Sequence, residues 1–123
     1  MDSRWKELEK YLGMDPGVAD QVNWRGTNQG EKLKIEGPQG WQGFETIWGT
    51  NESGFSALAG SCRLYNGLFG QPGLKYNGFW WSASENKNNS TKAWYRYLDY
   101  KNANVFRYFG PKNYGFSIRC IRN

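Results

Sequence analysis

Between Phe79 and Phe116 the chain places 12 of its 22 aromatic residues, interleaved with Arg, Lys and Asn. The run reads GFWWSASENKNNSTKAWYRYLDYKNANVFRYFGPKNYGFSIRCIRN. Tyrosine beside Asn, Gly and Arg is poor core material, because each buried phenol must keep its hydroxyl partnered. It is good material for a contact surface, where Tyr supplies area at low entropic cost and Asn or Gly adapts. The chemistry these residues support is recognition. Bond-making chemistry lacks its usual parts. Histidine is absent, which removes the commonest general base and the commonest metal ligand. Cys62 and Cys120 stand too far apart for a CxxC redox or zinc motif, and one disulfide or two buried thiols remain equally open. The carboxylates near the aromatic run are Glu85 and Asp99 only, a thin set for calcium, which wants several oxygen ligands. No acid/base pair, activated nucleophile, cofactor or metal set emerges, so a binding module is expected rather than an enzyme.

Charge follows the aromatics. The formal net charge is +5. Residues 79–123 hold eight Lys/Arg against Glu85 and Asp99, and residues 1–78 hold eight basic against nine acidic residues. Stacking rings beside cations can hold a single-stranded nucleic acid through Lys87, Lys92, Arg96, Lys101 and Lys112. No recognition helix, RNP-like or zinc-finger pattern accompanies them, and a solvated basic face is the preferred reading.

The elements that must position these residues are short. At 123 residues the chain is one domain, 1–123, able to bury a core without metals or several disulfides. Asp2 or Ser3 can cap a helix over 4–12, with Trp5, Leu8 and Leu12 on one face and Gly13 as its stop. Further helical turns are expected from Pro16 or Gly17 to Val22 and from Asn28 to Leu33. From Gly37 to Gly78 the chain is loop-rich, and Trp41, Phe44, Trp48, Phe55, Leu58, Leu64 and Phe69 are expected to be its core. Strands are expected at 79–83, 93–100, 104–109 and 116–121. Period-2 alternation puts Trp94, Arg96, Leu98 and Tyr100 on one face, with Tyr95, Tyr97 and Asp99 on the other. Likewise Phe106 and Tyr108 oppose Val105 and Arg107, and residues 101–104 can close a hairpin. If Tyr95, Tyr97, Phe106 and Tyr108 share a face, they form one exposed aromatic patch, the mark of a partner site. No stretch of 18 apolar residues and no signal-peptide pattern occurs, so membrane insertion is not expected.

The pieces RWKELEKYLG, WRGTNQGEKLK, ESGFSALAGSCR, NGLFG, GFWWSASEN, AWYRYLDYKNANVFR and KNYGFSIRCIRN, in this order, span nearly the whole chain. In them the chain resembles the Fibrobacter succinogenes major paralogous domain, a bacterial module related to the formylglycine-generating branch of C-type-lectin-like folds. The resemblance implies an α+β, C-type-lectin-like fold with short N-terminal helices, small antiparallel sheets and long loops. Family members usually carry a strand-like segment before the first helix, so a strand pairing with the C-terminal one is expected to be missing or supplied otherwise. Related domains are targets of diversity-generating retroelements, which randomise adenines in Asn codons. By that analogy the diversified part covers approximately 95–114, and the candidate ligand-binding positions are Tyr95, Tyr97, Asp99, Tyr100, Phe106, Tyr108, Phe109, Gly110, Pro111 and Tyr114. Each is a residue reachable from AAC by changing its adenines. Trp94, Arg96, Leu98, Val105, Arg107, Gly115 and Phe116 are then the fixed scaffold. The function implied is non-enzymatic recognition of a surface protein or glycan, outside the cell, on a bacterial surface or a phage particle. An ordinary surface adhesin or carbohydrate-binding paralogue is the alternative, and a single-stranded nucleic-acid binder the second. The formylglycine-generating relatives need reactive cysteines, whereas the GSCR and IRCI contexts of Cys62 and Cys120 look structural.

Overall fold

The computed structural model describes residues 1–37, 40–69 and 75–120. It is a small α+β domain with helices α1 (Asp2–Tyr11), α2 (Pro16–Ala19) and α3 (Gln29–Leu33). Strands β1 (Asn23–Arg25), β2 (Asn77–Asn86), β3 (Asn89–Asp99) and β4 (Val105–Pro111) form one antiparallel sheet in the order β1-β4-β3-β2.

Local chemistry accounts for most boundaries. Helix α1 stops where Gly13 takes φ +102°, a left-handed conformation that side chains resist, and Met14 N–H closes back on the Glu9 carbonyl at 3.0 Å. Helix α2 starts on Pro16 after Asp15, whose carboxylate accepts from Gly17 N–H at 2.9 Å. Strand β2 runs further than the sequence suggests. The segment ENKNN reads as a loop, yet only Lys87 and Asn88 turn, and Asn86 holds the turn by accepting from Asn88 N–H at 2.9 Å.

The expected final strand over 116–121 does not form, and residue 121 lies outside the described residues. Gly115 and Ser117 make single bridges to Arg63 and Trp80 instead. The chain runs beside the edge of β2 there, in parallel, for that one bridge. Ser117 exchanges two backbone bonds with Phe79 and Trp81, at 2.9 and 3.0 Å, and Ile118 is already exposed.

The core lies between α1 and the inner face of the sheet. Trp5, Leu12, Met14, Leu33, Trp41, Trp80, Leu98 and Val105 are buried in it. Of the middle segment, Trp41 is buried and donates its indole N–H to the Ala57 carbonyl at 2.8 Å. Phe44, Phe55 and Leu64 are half-buried. Trp48, Leu58 and Phe69 are 54%, 59% and 72% exposed, contrary to expectation. Ala57 and Ala59 take the inward positions of an extended stretch, which turns Leu58 outward. Trp48 lies against the bare backbone of Gly43, where a side chain would collide with its indole.

A buried ionic cluster completes the core. Helix α1 turns Asp2 and Glu9 inward beside Trp5 and Leu12, toward Arg25, Arg96 and Arg107 of three strands. Arg96, fully buried, grips Glu9 with two parallel bonds of 3.0 Å and Asp2 with one of 2.6 Å. Arg25 adds a 2.7 Å bond to Glu9, and Arg107 reaches Asp2 at 2.9 Å. Three guanidiniums against two carboxylates leave one positive charge. Backbone carbonyls of Ala19, Val105, Asp20 and Gln21 accept from further N–H groups of Arg25 and Arg107. Arg107 also lies 3.9 Å over the Trp94 ring. Burial opposes ionisation of Asp2, but Arg107 and Arg96 outweigh it and lower its pKa from 3.8 to about 2. The expected solvated basic face is thus partly internal: the sheet's arginines point into the core.

Lys34 is a second buried cation. Its ammonium donates to the carbonyls of Asp99 and Asn102 at 2.7 and 2.8 Å, fastening the β3–β4 connection to the end of α3. Burial pushes its pKa down from 10.5 to about 8, and the Asp99 charge offsets only part of that.

Candidate functional site: the aromatic outer face

With Arg96, Leu98, Val105 and Arg107 committed inward, pleating sends their neighbours outward. The strand registers then align Trp24, Phe106, Tyr97 and Phe79 as direct partners across β1, β4, β3 and β2. One aromatic ring from every strand stands in a single row. A second row places Trp81, Tyr95 and Tyr108 opposite one another on β2, β3 and β4.

Ring geometry ties the rows together. Phe79 stacks on Tyr97 at 4.5 Å with an interplanar angle of 7°. Trp24 meets Tyr97 at 5.2 Å and Phe106 at 5.3 Å. Phe116 crosses from the C-terminal segment to stack on Phe79 at 4.9 Å and to contact Trp81 at 4.3 Å. Such pairs each add ~0.5–1.5 kcal/mol beyond their burial, so the face is self-supporting. Its members shield one another. Tyr95, Tyr97 and Phe106 are half-buried, and Tyr108, at 37% exposed, is the open one of the four expected at the patch.

The Tyr97 hydroxyl is placed as a donor. Tyr97 donates to the Asp99 carboxylate, whose other oxygen accepts from Lys101 N–H at 2.9 Å. Burial raises the Tyr97 pKa, and the hydrogen bond to Asp99 and its charge raise it further. Burial, then Tyr108, raises that of Tyr95. Both phenols therefore stay protonated at neutral pH.

Of the expected site residues, Tyr95, Tyr97, Phe106 and Tyr108 meet in these rows, with Asp99 at one end. Gly110 lies beside Tyr95, where an added Cβ would stand 3.2 Å from the ring. Pro111 is exposed at the strand end, and Tyr114 borders the face, edge-on to Phe116 at 6.0 Å and stacked on Tyr65 at 6.3 Å. Tyr100 is not brought in, and Phe109 joins the face at its rim through Tyr108. Tyr100 packs against Tyr76 at 5.1 Å and Phe44 at 5.8 Å, whereas Phe109 stacks on Tyr108 at 4.6 Å with an interplanar angle of 13° and also meets Trp94 at 5.2 Å. Parity explains Tyr100, which follows β3 in the phase of Leu98; Phe109 has the phase of Arg107 on β4 and still reaches the outer row through its stack on Tyr108.

Trp24, Phe79, Trp81 and Phe116 belong to the face and were not among the expected residues. Phe79 and Trp81 flank Trp80 at period 2, a signal the sequence does carry. Trp24 sits on a three-residue strand with no period to read, and Phe116 was assigned to the scaffold. The basic set also changes. Arg96 is fully buried and Lys112 pairs with Glu85, which removes Arg96 from any phosphate contact. Among the described residues no three His, Cys, Asp or Glu side chains converge as a metal set.

No curated protein and no solved structure matches the chain. Residues 1–122, which include every strand of the aromatic face, match the Fibrobacter succinogenes major domain. The chain belongs to the Fibrobacter succinogenes major domain family.

Proposed function

We propose that the chain is a non-enzymatic ligand-binding domain that recognises a surface protein or glycan through this aromatic face, exposed on a bacterial cell or a phage particle. One observation carries the reading: the four-strand row Trp24–Phe106–Tyr97–Phe79, continued by Trp81, Tyr95 and Tyr108. Rings locked by their neighbours lose little entropy on contact, which favours them as binding anchors. A finer reading makes the scaffold C-type-lectin-like and the outer face retroelement-diversified. It is supported by the division of labour within β3 and β4. Tyr95, Tyr97, Phe106 and Tyr108 can change while Arg96, Leu98, Val105 and Arg107 hold the inner face. Tyr100 fits it less well, because it packs away from the rows against Phe44 and Tyr76.

Binding of the full chain to arrayed bacterial-surface proteins and glycans tests the function. The double variant Tyr97→Ser/Phe106→Ser should lose at least ~10-fold in affinity for the captured ligand, with unchanged far-UV circular dichroism. Undiminished binding by the folded variant sinks the reading. The origin has its own test: an Asn-codon-rich near-copy of the 79–119 coding region beside a reverse transcriptase gene.

A further inference from the structure

The aromatic rows end abruptly toward the β2–β3 turn. Four residue steps of β2, Trp81 to Glu85, span what two steps of β3, Tyr95 to Ala93, span. Such a bulge bends its strand and re-aims side chains. Small residues stand where the rows would continue. Ala93 follows Tyr95 on the same face of β3, and its partner on β4 is Gly110. The result is a hollow of about 310 Å³ lined by Trp81, Ser82, Ala83, Glu85, Ala93 and Lys112. A second hollow of about 380 Å³, over Thr91, Pro111 and Asn113, shares Lys112 with the first. Each lies at the lower end of small-ligand site volumes.

The lining selects a chemistry. The Trp81 indole is fixed before any ligand arrives, by its N–H bond to the Tyr114 carbonyl at 3.3 Å and by Phe116 at 4.3 Å. At the rim, Glu85 and Lys112 pair with each other, yet their side chains remain 58% and 42% exposed. Together they carry no net charge, so the rim gives an anionic or a cationic ligand no electrostatic advantage over a neutral one. Both keep hydrogen-bonding capacity, the carboxylate as acceptor and the ammonium as donor. The ligand that fits is neutral, has one apolar face for the indole, and carries both donors and acceptors. An extended peptide is disfavoured, because β2 is the sheet's edge and its bulge breaks the spacing that an added strand needs.

We propose that this double hollow is a subsite for two consecutive units of a neutral oligosaccharide. One unit lies against Trp81 with its hydroxyls on Glu85 and Lys112, and the next lies over Pro111. The proposal rests on the binding-module reading above and names the ligand class at one end of its face.

The full chain is screened on an array of neutral and anionic oligosaccharides, and affinity for the best neutral one is measured by calorimetry. Ala83 is exposed, so Ala83→Trp fills the hollow without opening the core. Ala83→Leu serves if that variant is misfolded by circular dichroism. The expected result is neutral-glycan binding weakened at least ~10-fold by the filling variant and by Glu85→Ala, but unchanged by Lys101→Ala at the far end of the sheet. Absence of neutral-glycan binding, binding of anionic glycans alone, or neutral binding indifferent to the filled hollow overturns the proposal. If a protein ligand is lost in Tyr97→Ser/Phe106→Ser while Ala83→Trp binds it fully, the saccharide subsite fails and the binding reading stands. If neither variant alters any binding, both fail.

Discussion

Replacing Asp2 by Asn removes one carboxylate from the buried ionic cluster while keeping the side-chain shape. In the folded chain Asp2 accepts from Arg96 at 2.6 Å and from Arg107 at 2.9 Å, with its side chain 10% exposed. Its pKa falls from 3.8 to about 2, a shift worth about 2.5 kcal/mol at ~1.36 kcal/mol per unit. A depressed carboxylate pKa means that the unfolded chain binds more protons below pH 4. The contribution is therefore complete at neutral pH, where unfolding leaves Asp2 ionised in both states. It declines as pH drops through 3.8 toward 2, with about half remaining at pH 3. Urea unfolding of Asp2→Asn and the parent, followed by circular dichroism at pH 7, 4.5 and 3, gives the difference directly. Other carboxylates titrate in both proteins and largely cancel. We expect a loss of about 2–3 kcal/mol at pH 7, a large share of the ~5–15 kcal/mol typical of a domain, shrinking by about half at pH 3. A loss below ~1 kcal/mol at pH 7, or one independent of pH, would refute the reasoning that Asp2 is held ionised by the two guanidiniums.

Other perturbations separate the two faces of the sheet and the second buried cation. Leu98→Ala, at 2% exposure, should cost ~2–5 kcal/mol in urea unfolding, while Tyr108→Ser, at 37%, should cost under ~1 kcal/mol. Equal costs would mean that the outer face is core. Lys34 has a folded pKa of about 8 against 10.5 unfolded, so the unfolded chain binds more protons between these values and stability rises with pH there. Relative to Lys34→Met, the parent should gain about 2.5 kcal/mol between pH 7 and pH 10, and a flat difference across that window would contradict the burial of the amine.

What local sequence determined about this protein is the partition of β3 and β4 into two faces. Side chains alternate across a strand by covalent geometry, so the order Trp94-Tyr95-Arg96-Tyr97-Leu98 already separates Tyr95 and Tyr97 from Arg96 and Leu98. The same parity places Tyr100 on the inner side, although its aromatic character suggests otherwise. The first helix and its stop at Gly13 were equally legible, because spacing and a permissive residue suffice. Its start was not: Asp2 lies inside the helix, which Met1 caps, and its carboxylate pairs with Arg96 and Arg107 instead of capping.

Tertiary structure decided which face is buried and what fills it. Glu9 and Arg96 are 87 residues apart, and nothing near either predicts the bidentate pair that commits the arginine to the core. Trp24 enters the aromatic row only because β1 docks on β4. The segment after Phe116 has the composition of a strand, but among the described residues it makes a single parallel bridge to β2, at Ser117, before Ile118 turns into solvent. Leu58 stays outside because Ala57 and Ala59 already occupy the inward positions, and Trp48 lies outside against the backbone of Gly43. Pairing, register and burial depend on contacts between distant segments, and the energy that fixes them exists only once the chain has closed on itself.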